Sequence, residues 1–184
     1  MDFLKPSLTV DDKTLALAAK IKLLLFDVDG VLTSGQLFIG DDGQEHKAFH
    51  SRDGHGIRML QDSGVPVGLI TGRTSQVVKH RAKDLDIKHV YQGERDKLPA
   101  YIALCKKLGL TLDQVAFVGD DVVDLPIMLK TGLAVAVQDA HPLVKQHAHW
   151  TTPSRGGRGA GRDICELILL AQGHYDQAMG HYLS

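Results

Sequence analysis

A chain of 184 residues with 43% hydrophobic and 23% charged side chains fits one soluble globular domain with a full core, and is too short for two ordinary ones. Its formal net charge of -1 supplies no overall field that would draw it to nucleic acid or to an anionic membrane. No apolar run approaches the ~20 residues that cross a bilayer, and the first ten residues lack the basic-then-apolar order of a secretory leader, so a cytoplasmic protein is expected. The two cysteines, Cys105 and Cys165, fall in helical apolar patterns and read as small buried side chains rather than a disulfide framework or a metal site.

Residues 11–20 carry acids at the start and Lys20 at the end, which predicts a short helix. Residues 21–26 form an apolar run with the length of a strand buried on both faces. The run stops at Asp27-Val28-Asp29-Gly30, where the chain must leave the sheet. Ligands of open α/β sheets sit beyond the carboxyl ends of strands, so both carboxylates are expected in a cleft. Two like charges so close repel, a bound cation relieves them, and ligands that are all oxygen suit Mg2+. Taken alone, Asp27 and Asp29 could equally cap a helix or open a turn.

Residues 36–39 and 44–49 flank the turn sequence Gly40-Asp41-Asp42-Gly43 and predict a β-hairpin. Residues 53–61 read as a helix closed by Ser63-Gly64, and 65–70 as a second buried strand ending at Thr71-Gly72-Arg73. A helix over 75–85 and a short strand over 89–91 follow. Residues 97–108 form an amphipathic helix that starts on Lys97 and turns Leu98, Tyr101, Ile102 and Cys105 inward. A strand over 115–118 ends at Gly119-Asp120-Asp121, and a helix over 122–130 stops at Thr131-Gly132. Then come a strand over 133–137, a helix over 141–148, a last strand over 150–152, a glycine- and arginine-rich stretch over 155–162 and a closing helix over 163–171. Strands alternating with helices predict an α/β fold, a Rossmann-like, doubly wound parallel sheet. It spans 1–184 as one domain, with the hairpin insert at 36–49 and a C-terminal tail and helix at 153–184.

Polar groups therefore gather at four element ends: Asp27 with Asp29, Thr71-Gly72-Arg73, Lys97, and Asp120-Asp121 with Asp124. In identity and order these segments resemble the four motifs of the haloacid dehalogenase-like (HAD-like) phosphatase superfamily. The resemblance implies that Asp27 attacks phosphorus as a nucleophile and forms an aspartyl-phosphate. Asp29 would protonate the leaving alkoxide and then deprotonate the attacking water. Thr71 would donate a hydrogen bond to a phosphoryl oxygen, Gly72 would let the backbone approach it, and Lys97 would neutralise charge on the transferring group. Mg2+ would be held by Asp120, the Asp27 carboxylate and the Asp29 backbone carbonyl, with Asp121 and Asp124 holding waters and orienting those ligands. Singly, each has a plainer reading: Thr71 as a strand-end residue, Lys97 as a solvated lysine, Asp120 and Asp121 as helix caps.

Many members of the superfamily carry a separate cap domain. Here the segment between Gly30 and Val65 holds only a hairpin and one helix, and that between Arg73 and Lys97 one helix and one strand, so no cap is expected. An open site and an exposed hairpin edge together predict a homo-oligomer, a tetramer by resemblance.

The Asp27-to-Thr33 segment, Arg52-Asp53-Gly54-His55-Gly56-Ile57 and the stretch from Thr152 to Asp163 narrow the likeness to superfamily members that act on phosphorylated sugar acids. The substrate so implied is the 8-phosphate of an eight-carbon 3-deoxy sugar acid used in lipopolysaccharide, with N-acetylneuraminate 9-phosphate and its deaminated analogue as alternatives. Thr33, Arg52, Asp53, His55, Gly72 and Arg73 would line the sugar-acid pocket, and Arg73 or a tail arginine, Arg155 or Arg158, would pair with the substrate carboxylate. His55 could instead face solvent at a helix start. The Arg155-Gly156-Gly157-Arg158 segment also resembles RNA-binding boxes, but it is a single copy without aromatic residues to stack bases, which argues against nucleic acid. The different class left open is a non-catalytic scaffold on the same fold. The tail itself is expected to be flexible and to fold over the active site.

Overall fold

In the computed structural model, which describes residues 8–180 and 182–183, Asp11 opens the first helix, α1 (Asp12–Ala18), by accepting from the Thr14 N–H at 2.7 Å. The outermost residues of the predicted 1–184 domain, including most of the segment read as carrying no leader, lie outside the described residues. Strand β1 (Leu23–Phe26) follows with all four side chains buried, each contributing about 1.5–3 kcal/mol over an exposed position. The hairpin is shorter than its sequence suggests: β2 (Phe38–Ile39) and β3 (Glu45–His46) pair antiparallel over two residues each, apart from the main sheet. Neither strand buries an apolar face, so nothing extends the ladder.

Helix α2 (Ser51–Asp62), strand β4 (Val67–Thr71), helix α3 (Gln76–Asp84), strand β5 (His89–Gln92) and helix α4 (Lys97–Leu108) come next. Strand β6 (Val115–Gly119) is followed by a turn of 3-10 helix, Val122–Asp124, and only then by α5 (Leu125–Met128), where one helix over 122–130 was expected. Asp121 and Asp124 form a capping box around that turn, and Pro126 sits where a proline suits the start of α5. The chain closes with β7 (Leu133–Ala136), α6 (Pro142–His147), β8 (Trp150–Thr151), α7 (Ala160–Ala171) and α8 (Tyr175–Gly180).

Six parallel strands form one sheet in the order β5-β4-β1-β6-β7-β8. The connections run one way from β1 and then cross to its other side, so β1 marks the switch point at which such sheets bind ligands. One helical layer holds α1, α2 and α7; α4, α5 and α6 pack together in the other. Phe26 is level with Leu69 on one side and Val118 on the other, so the chain leaves β1, β4 and β6 side by side.

The tail corrects the expectation of a flexible, gating segment. The Gly157 N–H donates to the Val31 carbonyl at 2.8 Å and the Gly156 N–H to Asp139 Oδ1 at 2.9 Å. A Cβ on Gly156 would lie 1.7 Å from the Gly30 carbonyl oxygen, so glycine here permits close packing rather than motion. Helix α7 starts three residues earlier than expected and buries Ile164, Leu167 and Ile168 against the rest of the domain.

Candidate active site

The loop after β1 and the loop after β6 meet beyond the carboxyl end of the sheet. Gly30 makes that meeting possible: its φ is +92°, and a Cβ there would lie 2.1 Å from Asp120 Oδ2. The open cleft beyond is lined by Asp27 and Asp29 from β1, Thr71, Gly72 and Arg73 from β4, Lys97 from the start of α4, and Asp120 and Asp121 from β6. Eight residues singled out from four separate segments thus share one cleft.

At its floor the Lys97 ammonium, 3% exposed, lies 2.9 Å from Asp27 Oδ1 and 2.7 Å from Asp124 Oδ1. Burial works against the Lys97 charge, but Asp27 and Asp124 outweigh it and hold its pKa above the ordinary lysine value. Asp124 is fully buried and has both oxygens engaged, since Oδ2 accepts the Asp120 N–H at 3.0 Å and the Asp121 N–H at 3.4 Å. It therefore orients Lys97 and the Asp120 loop. Carboxylate oxygens of Asp27, Asp120 and Asp124 lie within 4.8 Å of one another. Burial, then Asp124, pushes the Asp27 carboxyl up to about 6 despite Lys97. Burial, then Asp27 and Asp124, pushes Asp120 up to about 8. Carboxylates this crowded resist full ionisation on their own, and an all-oxygen donor set of this kind matches a hard divalent cation.

Behind the Asp29 and Arg73 side chains lie two groups of the hairpin that the sequence did not disclose, Glu45 and Lys47. Lys47, on the hairpin, makes a short contact with Asp29 Oδ1 and lies 3.2 Å from Glu45 Oε1. Arg73 Nη2 donates to the same Glu45 oxygen at 2.9 Å, and Arg73 Nε lies 3.9 Å from Asp29 Oδ2. Arg95 also lines the cleft. The one sequence signal for the hairpin pair is spacing: Glu45 and Lys47, two apart, point to the same face of a strand.

Six expected substrate-binding residues lie outside the cleft. Thr33 is buried and ties the loop after β1, its Oγ1 donating to the Val28 carbonyl at 3.4 Å and accepting the Gly35 N–H at 3.3 Å. Asp53, 2% exposed, braces two helices: Oδ1 accepts the Arg162 N–H at 2.9 Å at the start of α7, and burial raises its pKa. Arg52 is exposed on α2, and His55 meets Tyr182 edge-on with ring centroids 5.4 Å apart. Arg155 and Arg158 are exposed on the tail turn. Asp121, at the rim, accepts the Val122 N–H at 2.8 Å as a cap.

Comparison with known proteins gives consistent relatives. A haloacid dehalogenase-like hydrolase family profile matches residues 89–160. The chain is 49% identical to the 3-deoxy-D-manno-octulosonate 8-phosphate phosphatase KdsC of Yersinia pestis over 171 residues, 93% of this chain and 91% of that protein. The Moraxella catarrhalis phosphatase of the same name, solved with a magnesium ion, a phosphate ion and a KDO molecule, superposes with a TM-score of 0.92 at 39% identity, covering 94% of this chain and 99% of that one. The cobalt-bound deoxy-D-mannose-octulosonate 8-phosphate phosphatase of Haemophilus influenzae gives 0.86 at 41% identity, with 91% and 99% covered.

Proposed function

Because the chain belongs to the 3-deoxy-D-manno-octulosonate 8-phosphate phosphatase family of haloacid dehalogenase-like hydrolases, we propose that it hydrolyses that sugar-acid phosphate to KDO and inorganic phosphate through an aspartyl-phosphate. One observation carries the mechanism: Asp27 ends β1 with Lys97 Nζ at 2.9 Å and two further carboxylates within 4.8 Å.

Asp27 and Asp120, with the Asp29 backbone carbonyl, would hold Mg2+, which when bound supplies positive charge against the phosphoryl oxygens. A carboxylate oxygen of Asp27 attacks phosphorus, and the bond from phosphorus to the sugar oxygen breaks. Asp29 gives its proton to that leaving oxygen, and Thr71 and Lys97 support the charge spread over the phosphoryl group. Water then attacks the phosphorus of the aspartyl-phosphate, Asp29 takes its proton back, and phosphate leaves with Asp27 restored. Lys97 keeps its charge throughout, because Asp124 holds it from the other side.

Arg73 is the cation at the rim suited to the substrate carboxylate, with Glu45 as its partner while substrate is absent. The hairpin leaves Leu37, Phe38 and Ile39 exposed, which supports assembly of copies, a tetramer in this reading, that light scattering would detect. A reaction in the cytoplasm, releasing the sugar acid for lipopolysaccharide, fits the two buried free thiols.

A phosphate-release comparison of the eight-carbon substrate with N-acetylneuraminate 9-phosphate and its deaminated analogue tests the assignment. The eight-carbon compound is expected to lead in kcat/KM by about tenfold or more. EDTA and Asp27→Asn are each expected to abolish turnover. A preference for a nine-carbon compound overturns the substrate; turnover in EDTA or by the variant overturns the mechanism.

A further inference from the structure

The hairpin exposes its apolar side chains and buries a charged one. Leu37, Phe38 and Ile39 are 47%, 52% and 60% exposed, whereas the Lys47 side chain is 1% exposed. Lysine is almost never fully buried unless paired, because desolvating the ammonium is costly and only close carboxylates offset it. Lys47 has two, Asp29 Oδ1 and Glu45 Oε1. Lys47 is not itself among the side chains that line the cleft. Asp29 Oδ2 lies 3.9 Å from Arg73 Nε, beyond hydrogen-bond reach, so among the described residues Lys47 is the group that fixes the Asp29 carboxylate.

We propose that Lys47 is a positioning residue for phosphoryl transfer: by gripping Oδ1 of Asp29 it keeps Oδ2 aimed at the oxygen that leaves phosphorus. The inference rests on the acid–base role given to Asp29 above. Lys47 contacts Asp29 and Glu45 and not the nucleophile, and its effect on the transfer runs through Asp29. Proton transfer needs its donor held in line with the acceptor, and among the described residues Lys47 is the group within hydrogen-bond reach of this carboxylate, with Arg73 Nε farther off at 3.9 Å. The two short strands then serve to deliver one ammonium to the general acid.

Leaving groups separate this role from simple support of the hairpin. An alkoxide needs a proton as it departs; p-nitrophenolate does not. On KDO 8-phosphate and on glycerol 3-phosphate, Lys47→Met is expected to lower kcat/KM by about 30- to 100-fold, against no more than about threefold on p-nitrophenyl phosphate. Lys47→Arg is expected to recover about tenfold of the loss, and Lys47→Met is expected to add nothing to Asp29→Asn. Loss confined to KDO 8-phosphate would make Lys47 a contact to the sugar acid, and equal loss on all three would make it a support of the hairpin; either overturns the proposal. Asp29→Asn tests the premise by itself: equal loss on alkyl and aryl phosphates there removes the acid–base role of Asp29, whatever Lys47 does.

Discussion

Asp53 and Asp27 are both buried aspartates, and their partners give them opposite tasks. Asp27 faces an ammonium and two carboxylates at a strand end, a setting for chemistry. Asp53 faces a backbone N–H at the start of α7, and Gly161 packs against its side chain. Its sequence context next to Arg52 and His55 suggests a sugar ligand; its place in the fold is that of a brace. Asp53→Ala is expected to destabilise the protein by about 1–3 kcal/mol, because it strands a helix-end donor, while leaving KM within about twofold. Urea unfolding with steady-state kinetics checks this. A large rise in KM at unchanged stability would return Asp53 to the substrate pocket.

Among the elements, the tail turn matters through contact rather than motion. Gly156 and Gly157 lie against the backbone of Gly30 and Thr33, the loop that carries Asp29. Gly156→Ala would push that loop, so it is expected to cost about 1–3 kcal/mol and to lower kcat as well, which thermal melts and turnover would register together. Unchanged activity would mean the loop tolerates displacement. Truncation after Pro153 would remove α7 and its buried Ile164, Leu167 and Ile168, so loss of the fold is expected rather than a change in gating. Alternation of apolar runs with amphipathic stretches was enough to read most elements, and α4 starts and ends at the expected residues. The turn after β6 was not readable as such, because the Asp121 and Asp124 capping box and Pro126 shorten a helix that periodicity alone would continue.

For the molecule as a whole, crowded carboxylates tie stability to pH and to metal. Asp27 rises from 3.8 to about 6 and Asp120 from 3.8 to about 8 without an ion. A carboxyl whose folded pKa is raised binds more protons folded than unfolded, so stability falls as pH rises above 3.8 and through those values. Mg2+ held by the ionised pair would offset the loss. The thermal midpoint of the metal-free protein is therefore expected to drop between pH 5 and pH 8.5, and the gain on adding Mg2+ to be larger at the higher pH. Equal gains at both values would place the ion elsewhere.

The order of the motifs, the parallel sheet and the strand-end location of Asp27, Thr71 and Asp120 follow from local pattern. A buried run stops where the chain must leave the sheet, and the polar residue found there needs no distant partner to be recognised. The folded molecule decided the rest. Whether Lys47 reaches Asp29 and Glu45 reaches Arg73, whether Asp53 meets substrate or α7, and whether glycines loosen or tighten the tail depend on which distant segments touch. Those contacts are fixed by packing across the sheet and between the helical layers, and no spacing along the chain encodes them.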